Sequence, residues 1–257
     1  MSRKNGVKIL ACHDRRLAYL QQPGVHPGVL FLGGFRSDMS GLKAQALADW
    51  CRTTGRSYTR FDYSGHGASS GEFRDGTISR WLEDALSILD QATVGRQIVV
   101  GSSMGGWITL LLALARPQRL HALLTIACAT DFTERLVKPA LTEEQTAVLY
   151  RDNIAFLPSA YDGQPYPITR QLLDDGQQYL LLEKPIPIHC PVRMLHGMAD
   201  RDVPWEISRE TLQSITGEDV QLTLIKGGDH RLSKPEELNL VTATLNQLSV
   251  LGGAPRE

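Results

Sequence analysis

The sequence predicts an α/β chain with a mainly parallel central sheet, helices on both of its faces and a helical cap inserted late in the chain. Three observations carry that prediction. Apolar runs of strand length alternate with segments of helical period from Val29 to Ala127, and the alternation resumes at Val192. Several runs, Val29-Leu30-Phe31-Leu32 and Ile98-Val99-Val100 among them, are apolar at every position, as strands covered on both faces of a parallel sheet must be. Between Asp131 and His189 the alternation stops, which sets residues 131–189 apart as a cap from a core domain formed by 1–130 and 190–257.

Each element has its own signal. The stretches 7–11 and 16–20 flank the polar turn His13-Asp14-Arg15 and predict an antiparallel opening hairpin. Val29 to Leu32 follows two Pro-Gly turns and ends at Gly33-Gly34-Phe35-Arg36. A helix is predicted over 40–53, with Leu42, Ala46, Leu47 and Trp50 on one face and Gly55 as its stop. The stretch 57–61 reads as the next strand, and 62–71 as a loop too rich in glycine for a regular element. Ile78, Trp81, Leu82, Ala85, Leu86 and Leu89 recur at helical spacing over 77–91. A strand at 97–100, a helix at 107–115 and a strand at 122–127 complete the first run. Within the insertion, helices are predicted near 142–153 and 168–182, separated by Pro158, Pro165 and Pro167. The closing run is a strand at 192–196, a helix at 205–215, a strand at 220–225 and a helix at 235–248.

Composition narrows the function. The chain has 257 residues, 42% hydrophobic and 21% charged, enough to bury one large core. A formal net charge of -1 offers no electrostatic reason for a nucleic acid or an anionic membrane as partner. Cys12, Cys51, Cys128 and Cys190 stand far apart with no C-x-x-C pair, so reduced thiols are expected rather than a disulfide frame. No carboxylate and histidine cluster has metal-ligand spacing, and neither metal nor cofactor is expected. The charged start has no apolar h-region behind it, and no run approaches the ~18 to 20 apolar residues of a membrane span. A cytoplasmic protein without stable membrane insertion is therefore expected.

The chemistry gathers at Gly101-Ser102-Ser103-Met104-Gly105-Gly106, between a buried strand and a buried helix. That context makes Gly101 to Gly105 a G-x-S-x-G nucleophile elbow with Ser103 at its apex, Ser102 being at most a helper. A serine hydroxyl is a weak nucleophile at neutral pH and needs a base, which in turn needs an acid to orient it. Asp200 lies in the loop after the strand ending at His196, and His230 in the loop after the last strand, so all three residues leave the carboxyl ends of strands. Asp202 and Asp131 are the rival acids. His66 and His196 suit structural hydrogen bonding better than the role of base. Apolar residues of the insertion, with Phe132, Leu136, Phe156 and Tyr161 as the candidates, are expected to line a substrate pocket.

With these residues in place the chain resembles the α/β-hydrolase-fold serine hydrolases over nearly its whole length, the cap being the divergent part. The order Ser, Asp, His, the segment Leu195 to Pro204 and the loop Asp62 to Ser69 carry the resemblance. Phe61-Asp62-Tyr63-Ser64-Gly65, the elbow with Trp107, His196-Gly197-Met198 and Asp229-His230-Arg231 are similar to a narrower group, the mitochondrial depalmitoylase and acyl-glucuronide esterases. The resemblance implies a cofactor-free hydrolysis of small-molecule esters, acyl thioesters or an acylated protein. It also implies Asp200, in its Gly-x-x-Asp spacing, as the acid, and the backbone N–H groups of Phe35 and Met104 as the oxyanion hole. The family usually carries His where Gly33 stands, which leaves the support of that hole open. A lactonase, perhydrolase or acyltransferase would use the same three residues, and a ligand receptor or interaction module on a hydrolase scaffold could retain them. Dehalogenases and epoxide hydrolases place Asp at the apex, where this chain has Ser103.

Overall fold

Eight strands form a single sheet in a computed structural model that describes residues 6–158 and 165–251. The strands in chain order are β1 (Lys8–Cys12), β2 (Arg15–Gln22), β3 (Val25–Leu32), β4 (Arg56–Phe61), β5 (Gln97–Ser102), β6 (Leu120–Ile126), then β9 (Val192–Gly197) and β10 (Val220–Ile225). Their spatial order is β1-β2-β4-β3-β5-β6-β9-β10. The β1 and β2 hairpin runs antiparallel, β2 joins β4 antiparallel, and every later pairing is parallel. The predicted α/β class and mainly parallel sheet are thus what the chain adopts.

The uninterrupted apolar runs have a direct physical reason. In β3 and β5, Leu30, Leu32 and Val99 belong to one buried cluster, which includes Trp81, Leu89 and Trp107. Their neighbours Val29, Phe31, Ile98 and Val100 belong to another, which includes Leu47, Val241 and Leu245. Side chains alternate between faces along a strand, so a sheet covered on both faces is apolar at consecutive positions. The helices that cover it are α1 (Leu42–Thr54), α2 (Ile78–Ala92), α3 (Met104–Ala115), α7 (Trp205–Ser214) and α8 (Pro235–Val250). Each fully buried Leu, Ile or Val contributes about 1.5–3 kcal/mol. Helix ends carry local signals: Thr77 Oγ1 accepts the Arg80 N–H at the start of α2, and Gly55 closes α1 at φ 69°, a left-handed value that glycine adopts without strain.

The segment 131–189 is less regular than predicted. A π-helical turn (Thr133–Val137) runs into α4 (Lys138–Ala140) and then α5 (Glu143–Asp152), whose Thr142 and Gln145 form a capping box. A hairpin of β7 (Ile154–Leu157) and β8 (Tyr166–Thr169) follows, where no strand was expected. Ile168 and Thr169 are consequently strand, and the helix predicted over 168–182 shrinks to α6 (Arg170–Gly176) with a 3-10 turn after it. Pro167 is tolerated in β8 because the hairpin has only two strands, leaving an outer edge that needs no ladder donor.

Candidate active site

Sterics place Ser103 first. It stands between β5 and α3 at φ 57° and ψ -121°, a left-handed backbone for a residue with a Cβ. Such strain costs about 1–3 kcal/mol and persists only where surroundings enforce it. They do so here through the glycines. A Cβ on Gly101 would lie 2.2 Å from the Gly105 carbonyl oxygen, and one on Gly105 would lie 2.3 Å from that of Leu32. The turn therefore packs backbone on backbone, and the intervening serine is thrust outward. Gly106 has a different neighbour, since its Cβ would fall 2.7 Å from Cys128 Sγ beyond β6.

Two further loops converge on Ser103. His230 Nε2 is 3.1 Å from Ser103 Oγ, and His230 Nδ1 is 2.8 Å from Asp200 Oδ2. Gly197, at the end of β9, lets the Asp200 and His230 loops touch: a Cβ there would sit 2.2 Å from Gly228 O. The Asp200 carboxylate is fully buried, and its Oδ1 accepts the N–H groups of Asp202 and Val203 at 2.9 Å each. Burial alone would raise its pKa, but hydrogen bonds from His196 and His230 hold it well below the usual carboxylate range. On the histidine side, Lys43 Nζ from α1 donates to the Arg231 carbonyl, and burial lowers that lysine's pKa to about 8.

The loop after β3 supplies the third side. A Cβ on Gly34 would come within 3.3 Å of Ser103 Cβ, so the Gly33-Gly34-Phe35 backbone lies directly against the apex. Around Phe35 the loop N–H groups are engaged: Arg36 N–H donates to His66 Nε2 at 3.2 Å, and Ser37 N–H to Gly34 O at 3.1 Å. His66 Nδ1, 3.2 Å from Ser64 O, carries the ring proton and donates it, leaving Nε2 as the acceptor. Burial pushes the His66 pKa down to about 4 and keeps the ring in that neutral form. Asp62 ties the same region together, accepting Met39 N–H and Ala68 N–H. The glycine loop exists to wrap this carboxylate, since a Cβ on Gly67, at φ 46°, would strike Asp62 Oδ2. Met104 is the first residue of α3, whose leading N–H groups have no intrahelical acceptor.

Ser103 opens into a cavity of about 640 Å³ beneath the 131–189 segment. Its apolar lining includes Phe35, Phe132, Leu136, Leu157, Tyr166 and Ile168, and its polar lining Ser37, Asp38, Ser40, Lys43, Asp202 and Ser233. The Phe35 ring bridges body and insertion, with centroids 4.8 Å from Phe73, 5.6 Å from Phe132 and 5.7 Å from Tyr166. Phe132 and Leu136 line this cavity. Phe156 does not: it is 52% exposed on β7 and absent from the lining, while its neighbour Leu157 faces in. Strand alternation gives the cavity one of the two, and four residues of sequence do not say which. Tyr161 lies outside the described residues. A second cleft of about 730 Å³, bounded by Arg74, Asp152, Arg170 and Asp174, contains no histidine and is not lined by Ser103.

The alpha/beta hydrolase family model matches residues 29–239. The chain belongs to the alpha/beta hydrolase family. The hydrolase is 40% identical to the mouse mitochondrial palmitoyl-protein thioesterase ABHD10 over 233 residues, 90% of this chain and 78% of that one. The solved structure of mouse alpha/beta hydrolase domain-containing protein 10 matches with TM-score 0.88 at 38% identity, over 95% of this chain and 98% of that chain. A crystal structure from Agrobacterium vitis S4 matches with TM-score 0.92 at 38% identity, over 96% of this chain and 100% of that chain. The cytoplasmic placement expected from the sequence is overturned by the first of these, a relative whose own name is mitochondrial. Cys12, Cys51, Cys128 and Cys190 are unpaired, which does not identify a compartment.

Within the hydrolase frame the rivals separate. Asp131 is buried, and its carboxylate accepts Leu181 N–H and Leu182 N–H, so it fastens the far end of the insertion rather than meeting a histidine. Asp202 is exposed and stands near His230, and with Asp200 and His230 it brings three donor atoms within 4.8 Å, a grouping that linear spacing hides. Two of those donors are already committed to one another through the His230 to Asp200 hydrogen bond. Arg36 turns toward the insertion, donating to Pro165 O at 3.3 Å and lying over the Tyr166 ring. Among the described residues no helix is long and apolar enough to cross a membrane. His66 is the functional neighbour that sequence undervalued; its glycine loop was visible, but not that the loop after β3 leans on it.

Proposed function

We propose that this hydrolase cleaves carboxylic esters and acyl thioesters through an acyl-enzyme on Ser103, with His230 as base and acid and Asp200 as its orienting carboxylate. The observation that carries the reading is a strained, outward serine whose Oγ is 3.1 Å from an imidazole that is itself held by a buried carboxylate. Ser103 Oγ attacks the acyl carbonyl and its proton passes to His230 Nε2. The oxyanion forms against Phe35 N–H and Met104 N–H, a donor of this kind being worth roughly 2.7 to 4 kcal/mol in the transition state. His230 then delivers the proton to the departing alcohol or thiol, and water, deprotonated by the same nitrogen, releases the acid. Asp200 keeps the His230 proton on Nδ1 and stabilises the imidazolium.

Residues 131–189 serve as the cap in this reading, and Phe132, Leu136, Leu157, Tyr166 and Ile168 receive an apolar acyl group. The relative named as a palmitoyl-protein thioesterase supports thioesters of long acyl groups as the first substrates to try. A fluorophosphonate probe tests the assignment: wild-type protein should acquire one adduct, mapped by peptide mass spectrometry to Ser103, and Ser103→Ala should acquire none. An adduct retained at Ser102 in that variant would reject the assignment.

A further inference from the structure

We infer that His196 is a positioning residue for the Ser103–His230–Asp200 system, holding the acid through a second imidazole in a defined tautomer. The inference rests on the reaction proposed above. His196 ends β9 with its side chain wholly buried, and its Nε2 lies 3.0 Å from Asp200 Oδ2 and 3.0 Å from the Val203 carbonyl oxygen. Both neighbours only accept, so Nε2 must carry the proton and share it between them. Its Nδ1 is 2.7 Å from Ser208 Oγ on α7, which fits a hydroxyl donating into the free lone pair. The direction of every bond is then settled: Ser208 donates to His196, His196 and His230 both donate to Asp200 Oδ2, and Ser103 donates to His230.

Two consequences follow for the chemistry. Four N–H groups, from His196, His230, Asp202 and Val203, fill both carboxylate oxygens, so Asp200 has no freedom to rotate away from His230. His196 also draws charge from the oxygen that His230 uses. Removing it leaves that oxygen more negative and binds the His230 imidazolium more tightly. Charged groups near Asp200 and His230 are Asp202 in the acid's own loop and Lys43 from α1, a lysine that feels Asp200 together with Asp229, Arg231 and Glu237.

The test measures kcat and KM against pH on a p-nitrophenyl ester for wild type, His196→Gln, His196→Leu and Ser208→Ala, with Ser103→Ala as control. Gln can place an amide N–H where Nε2–H stands; Leu cannot. His196→Leu should lower kcat about 10- to 100-fold, the worth of a hydrogen bond to a charged group, with KM within about twofold. The acidic limb of kcat/KM should move to higher pH. His196→Gln should restore most of kcat, and Ser208→Ala should fall between. Long-range proton–nitrogen NMR of the folded wild type should show the His196 proton on Nε2. An unmoved acidic limb in His196→Leu, a loss shared in full by His196→Gln, or a proton on Nδ1 would overturn the inference. Turnover surviving in Ser103→Ala would instead remove the reading beneath it.

Discussion

The loops at the carboxyl ends of β3, β5, β9 and β10 and the 131–189 segment above them enclose one cavity, yet they are specified in different ways. In the body, parallel neighbours on both sides fix the register of β3, β5, β6 and β9, and backbone contacts such as Gly105 against Leu32 leave a single conformation at Ser103. In the insertion, the lining rests on a hairpin of two four-residue strands, where a shift of one residue exchanges Leu157 for Phe156. Under the proposed function, chemistry sits where backbone packing permits no alternative, and acyl-group selection where side-chain identity decides. Changes to the first region should alter kcat by orders of magnitude; changes to the second should alter KM and chain-length preference.

The largest contrast lies within the acid loop. Asp200→Asn should lower kcat by about 10³- to 10⁴-fold, because the amide offers a donor to the Nδ1–H it must accept, whereas Asp202→Asn should stay within about threefold. Steady-state rates on one ester check both, and the reverse ranking would move the acid to Asp202.

A smaller effect sharpens the role of the β4 loop. His66→Asn should lower kcat about tenfold by loosening the Arg36 N–H that steadies the loop carrying Phe35. It should also change the pH dependence of stability. Folding depresses the His66 pKa to about 4, so as pH falls below about 6.5 the unfolded chain takes up the proton first. Stability held in full above pH 6.5 is lost progressively toward pH 4, by about 3 kcal/mol from this residue. Urea unfolding at pH 7 and pH 4.5 should show a shallower decline in His66→Asn; an unchanged slope would discard the buried neutral imidazole.

The smallest effects belong to the 131–189 segment. Leu157→Ala should raise KM for a long-chain ester several-fold and leave acetate esters unaffected, while Phe156→Ala should do neither. The reverse pattern, a raised KM in Phe156→Ala alone, would mean that β7 presents its other face.

Legibility in the sequence follows the same division. The strands at β3, β5, β6 and β9 could be read because burial on both faces leaves no polar position in their centres, and the elbow because only glycine fits at 101, 105 and 106. Ser103, Asp200 and His230 could be proposed from chain order, since parallel strands bring their carboxyl ends together however far apart they lie in sequence. The hairpin at 154–169 could not be read, because Pro167 and the short strands imitate a loop. The partners of His66 and His196 were equally hidden: each depends on which ring nitrogen meets which atom across 30 and 4 residues of chain, a matter of side-chain packing.

Turnover of an acyl thioester and of p-nitrophenyl esters from acetate to palmitate, by wild type and Ser103→Ala side by side, bears most directly on the central claim. Hydrolysis by the wild type that disappears in Ser103→Ala is the expected result. Equal turnover by the two proteins, or none by the wild type on any member of either series, would contradict an acyl-enzyme at Ser103.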